Sequence, residues 1–184
     1  MLTLLIILSV LLLTAILVVS IYNKLVRIKN RMQEAWSGID VFLKKRHDLV
    51  PNLVATVKAY ATHERQTFED ITRYRTEAMQ ATEQGAQMKS EAGLGKAIGR
   101  LMAVAESYPD LKANVNFLEL QSQLSALEED LAMSRRYYNG TVRENNICIE
   151  SFPSNLIAGM FGFAKGVFFE IEKSQANTPH VDFS

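Results

Sequence analysis

Five consecutive titratable residues, Lys44, Lys45, Arg46, His47 and Asp48, form the densest chemistry-bearing cluster, and His63 and Glu64 follow one helical segment later. Hydrolysis would be sought there, with His47 and His63 as its working groups. A hydrolytic metal site needs three convergent ligands, commonly two histidines four apart on one helix face, and neither histidine has such a neighbour. No glycine-rich phosphate loop follows a strand, no serine sits in a nucleophile elbow, and the glycines of 93–99 match a phosphate loop only spuriously. The residues therefore predict no catalytic, cofactor-binding or metal site. His47 reads as one end of a polar cap at a helix turn, with Asp48 satisfying backbone donors. Cys148, the single cysteine, reads as a small buried hydrophobe.

Residues suited to contacts are plainer. Trp36 stands about 15 residues beyond an apolar first segment, too far to anchor at a lipid interface, so it and its neighbour Asp40 are either core or a partner contact. Arg46, His47, Asp48 and Tyr138 pose the same choice. The segment NLIAGMFGFAKGVFFEIE carries Phe161, Phe163, Phe168 and Phe169, while Gly159, Gly162 and Gly166 permit close helix packing. Three readings of it stand: a fourth helix completing a bundle, a homo-oligomer contact, or an interfacial membrane contact.

The elements that position these residues begin with MLTLLIILSVLLLTAILVVSIY, in which no charge appears before Lys24. About 20 such residues span roughly 30 Å as helix, the thickness of bilayer hydrocarbon. The segment lacks a basic n-region, and its apolar run is too long for a signal peptide, so it is expected to stay as an anchor. Lys24, Arg27, Lys29 and Arg31 follow the span, which predicts a cytoplasmic domain, with a periplasmic one as the alternative.

Beyond the span, Leu25, Ile28, Met32, Ala35, Ile39 and Phe42 recur at helical spacing among charged neighbours, the pattern of an amphipathic helix. Pro51 predicts either a kink or a turn near residues 48–52, the turn favoured because Asp48 could cap a second helix running from there to about Glu83. Gly85, Gly93 and Gly95 predict a loop. After Tyr108 and Pro109 a helix of roughly 40 residues runs to about Glu150, its apolar members Phe117, Leu120, Leu124, Leu127, Leu131, Tyr138, Val142 and Ile149 at steps of three, four or seven, as in a coiled coil. No stretch reads as a strand. The expected fold is all-α: an N-terminal transmembrane helix, then an elongated antiparallel helical bundle of three long helices and a shorter C-terminal one. Its domains are an anchor over 1–22, a bundle over 23–174 and a tail over 175–184. Lysine plus arginine equal aspartate plus glutamate at 20 each, which lowers any expectation of nucleic-acid binding.

Three blocks resemble one bacterial family, the LemA proteins: EAWSGIDVFLKKRHDLVPNLV with Lys58, Tyr60, Ala61, His63 and Glu64 after it; Tyr108, Pro109, Leu111 and Lys112; and YYNGTVRENNICIESFPSNLIAGMFGF. Pro179, Val181 and Phe183 fit as well, and Asn145 departs from the pattern, where an aromatic is usual. The resemblance implies a membrane-anchored helical bundle and supplies no mechanism. Lipid bilayer, a second copy of the chain and another membrane protein are the expected partners, and the bacterial inner membrane the expected location. Three functions compete: a scaffold that homo-oligomerises in the membrane plane, an adaptor or regulator of a membrane enzyme such as a protease, and the His47/His63 hydrolase.

Overall fold

The computed structural model describes residues 1–169. Helices follow one another along the chain: α1 Leu2–Lys58, α2 Arg65–Gln80, α3 Gln84–Ala105, α4 Pro109–Lys112, α5 Val115–Glu150 and α6 Ser154–Met160. No strand occurs among the described residues, so the expected all-α class is what the chain adopts. The tail over 175–184 lies outside the described residues. Two compact units divide the described residues, one from Met1–Asp40 and Met133–Phe168, the other from Val41–Ala132 with Phe169.

In the first unit, every residue of α1 from Leu2 to Leu17 is exposed, and burial begins only with Val18 and Ile21, before Leu25 is sealed completely. Among the described residues, α1 is the helix long and apolar enough to cross a membrane, and that stretch fits a membrane anchor. The part of α1 beyond it pairs antiparallel with the end of α5: Leu25 and Ile28 cluster with Cys148, Arg31 Nη1 meets Glu144 Oε2 at 3.1 Å, and the Trp36 and Tyr138 rings meet edge to face at 5.2 Å.

The expected C-terminal helix is shorter than its apolar pattern. It ends at Met160 because Gly162 takes a positive φ of 69°, and the Phe163 amide reaches back to the Ala158 carbonyl at 3.0 Å, a Schellman cap. From Phe161 to Phe169 the chain is not helical. Side chains of α5 take over the backbone pairing: Tyr138 Oη donates to the Val167 carbonyl at 3.0 Å and Asn145 Nδ2 to the Ala164 carbonyl at 3.2 Å. Asn146 pairs with both groups of Gly166, donating to its carbonyl at 3.1 Å and accepting its amide at 2.8 Å.

In the second unit, Val50, Leu53 and Val57 of α1, Ile71 of α2, Leu94, Ala97, Ile98 and Leu101 of α3, Leu111 of α4, and Phe117 and Leu124 of α5 form one core. Two expectations are corrected here. Gly85, Gly93 and Gly95 lie inside α3, not in a loop, because Glu91, Leu94, Ala97, Ile98, Leu101 and Ala105 recur at helical spacing and are all buried. Gly93 earns its place by close approach: a Cβ there would stand 2.5 Å from the Tyr74 ring. Nor does Pro51 make a turn. α1 runs through it to Lys58, and the break falls at 59–64, where the Tyr60 and Ala61 amides fold back onto the Val57 carbonyl at 3.0 and 2.9 Å. Proline at 51 deprives the His47 carbonyl, four residues earlier, of its helical donor. Arg75 Nε of α2 supplies one instead, at 2.8 Å.

That replacement makes a testable pair. Arg75→Ala should cost about 1.5–3 kcal/mol, the range for a hydrogen bond from a charged donor, and clearly less in a Pro51→Ala background, where the backbone can donate to His47 itself. Urea unfolding of the four chains in mild detergent gives the coupling; a coupling of zero would remove Arg75 from this role.

Candidate functional site

The strongest candidate lies in the second unit, where α1 presents two successive side chains, Arg46 and His47, to α3. Both are buried, at 1 % and 7 % exposure, as is Glu91 at 1 %. Glu91 sits on the same face of α3 as the core residues Leu94 and Ile98, so its carboxylate points into the unit where an unpaired charge would be very costly. Arg46 Nη2 ion-pairs with Glu91 Oε2 and donates to the Glu91 carbonyl at 3.1 Å, while His47 Nε2 stands 2.6 Å from Glu91 Oε1. Arg46 Nη1 reaches Glu128 Oε1 of α5 at 2.8 Å, and that carboxylate is partly open to solvent. Each Glu91 oxygen thus has a partner, and one guanidinium ties together α1, α3 and α5.

The electrostatics follow from this geometry. Burial alone would push the Glu91 carboxyl up, but the His47 hydrogen bond and the Arg46 charge together outweigh it and hold the group below the usual carboxylate range. Burial likewise opposes charge on Arg46, and the charges of Glu91 and Glu128 outweigh it. Among the described residues no three His, Cys, Asp or Glu side chains gather as a metal-binding group.

The other residues singled out in the sequence fall in different places. Asp48 is exposed beside the cluster, and His63 is exposed in the 59–64 break. In the first unit, Trp36 and Tyr138 are buried against each other, and Asp40 is half-buried. Burial raises the Tyr138 phenol above its ordinary value. Phe161 and Phe163 both meet the Tyr22 ring, at 4.8 and 5.8 Å, whereas Phe168 is largely exposed. Of the three glycines expected to serve helix packing, only Gly159 is helical, and a Cβ on it would meet nothing; Gly162 ends the helix. Gly166 is closely packed, 2.6 Å from Met32 Sδ as a Cβ would stand, but on the non-helical segment.

Glu91 and Glu128, two of the four members of the cluster, carry no signal in a linear reading. The glycines around Glu91 suggest a loop, and only the three-and-four spacing from Glu91 through Ala105 places it on a buried face.

A model of the LemA family matches residues 35–183. The chain belongs to the LemA family. Two curated relatives are also similar: the magnetosome protein MamQ 2 of Paramagnetospirillum magneticum, 28 % identical over 87 % of this chain and 68 % of its own, and the protein LemA of Metamycoplasma hominis, 26 % identical over 86 % and 74 %. The family match takes in Trp36, the Arg46 cluster and the 161–169 segment alike.

Replacing Glu91 tests the cluster. Glu91→Gln leaves Arg46 buried without its main counter-charge, so unfolding stability in mild detergent should fall by about 3–5 kcal/mol at neutral pH. A carboxyl whose folded pKa is depressed contributes stability that is present above its unfolded value and lost as pH falls through the folded one. The gap between parent and variant should therefore stay constant down to about pH 4.5, the ordinary glutamate range, and narrow below it. A gap that is small, or that does not change with acid, would contradict a charged Glu91.

Proposed function

We propose that this LemA-family chain is a non-catalytic membrane protein, held in the bacterial inner membrane by Leu2–Ile21 and acting through protein contacts in the membrane plane, first of all with copies of itself. One observation carries the reading: an apolar segment exposed from Leu2 to Leu17 continues into a helical domain in which Arg46, His47 and Glu91 are buried and already paired internally. Glu91 has both oxygens engaged, and Arg46 and His47 are closed to solvent, so the groups best suited to chemistry offer no open face to a substrate. They hold helices together instead. Lys24, Arg27, Lys29 and Arg31, just after the span, support a cytoplasmic position for the domain.

Confinement to a membrane raises effective concentration, so modest surfaces suffice for self-association there. Exposed large side chains on α5, Met133, Tyr137 and Ile147, are available for it. Light scattering of the full-length chain in mild detergent, beside a chain lacking residues 1–21, tests this. An assembly well above the 20.7 kDa of one chain that survives removal of the span places the contacts in the helical domain. A monomer in both forms defeats the scaffold reading.

A further inference from the structure

We propose that α6 and its flanks form a second membrane contact, lying in the headgroup and acyl boundary of the same bilayer that the span crosses; this rests on the anchor reading of Leu2–Ile21. α6 has two faces. Ile157 and Ala158 are buried against Leu25 and Ile28, while Leu156 and Met160, four apart, are 58 % and 77 % exposed. Phe152 just before the helix and Phe161 just after it are exposed as well, at 80 % and 54 %. Such a grouping of large apolar side chains in one short stretch is far from the scattered exposure of an ordinary soluble surface.

Its position selects the occupant. Val18 and Ile21 of the span pack on the cluster that holds Ile157 and Ala158, and the Phe161 ring meets Tyr22, at the end of the uncharged apolar segment, at 4.8 Å. α6 thus sits beside α1 where its side chains pass from fully exposed and apolar to buried, which is the depth of the membrane surface for an anchored α1. Charge agrees: none lies between Glu150 and Lys165, and those two pair with each other, closing an uncharged loop of chain. Lys24 and Arg27 stand on the adjoining turns of α1, suited to phosphate headgroups. An apolar face, an aromatic cluster at the exit of a span and flanking lysine and arginine are the chemistry of interfacial lipid binding.

Spin labels on the full-length chain decide it. Single cysteines replace Met160, Leu156, Leu8 or Met79 in a Cys148→Ala background, the protein is placed in vesicles of phosphatidylethanolamine and phosphatidylglycerol, and collisions with oxygen and with a water-soluble nickel chelate are compared. All four positions are exposed, so the labels replace no core side chain. The labels at Met160 and Leu156 should favour oxygen several-fold over the label at Met79, with a shallower depth than Leu8. Labels at 156 and 160 that match Met79 overturn the proposal while Leu8 in lipid preserves the anchor. Labels shielded from both reagents and broadened by a label on another chain overturn it in favour of a second copy. Leu8 in water removes the anchor itself, and this contact falls with it.

Discussion

A single carbonyl, that of His47, decides whether the second unit can be built as it is. Pro51 removes its helical donor, and a helix that stopped there would take Leu53 and Val57 out of line with the core residues of α3 and α5. Arg75 fills the vacancy from α2. The same residue whose carbonyl is rescued turns its side chain onto Glu91, so the backbone repair and the buried ion cluster meet at one position of α1. A guanidinium suits the first task because its rigid, permanently charged fork can reach a carbonyl already crowded by the proline ring. A buried cluster of this kind is weak evidence for stability, since the cost of taking its charges out of water is large. What it supplies is direction: Arg46 can satisfy Glu91 and Glu128 together only in one register of α1, α3 and α5.

Much of this is legible in the sequence. The span, the helical spacing after it and the absence of alternating strands fix an all-α chain, because each is a property of long stretches in which no single residue decides the outcome. Local events were harder. Pro51 carries a strong breaking signal, and what overrides it is an arginine 24 positions later that no window on the sequence contains. The glycines of α3 likewise suggest a loop until Tyr74 is known to press on Gly93. In each case a tertiary contact outweighs a propensity worth only about 1–3 kcal/mol.

The C-terminal segment shows the opposite failure. Its apolar spacing suits a helix to Phe169, yet Gly162 followed by Phe163 is itself a stop signal, a glycine for the left-handed turn with a hydrophobe behind it. Phe163 packs onto the cluster holding Ala158, as such a cap requires. Asn145, the one departure from the family pattern, also acquires a reason. It is 2 % exposed and gives its amide to the Ala164 carbonyl. With Tyr138 and Asn146 it holds non-helical backbone that no strand accompanies among the described residues, so side chains on one face of α5 do the work that a neighbouring strand does in a sheet.

Polar groups in the span point to what surrounds it. Ser9 Oγ and Thr14 Oγ1 bond at 2.8 Å to the carbonyls of Ile6 and Val10 on their own helix. Such hydroxyls are at home in lipid, because their hydrogen-bonding capacity is largely spent internally. Between helices in a membrane, association draws on close approach of small residues and on polar side chains that bond across. Leu2–Ile21 contains no glycine, and two of its hydroxyls are already committed. An uncharged apolar surface whose hydroxyls bond within their own helix fits a membrane anchor.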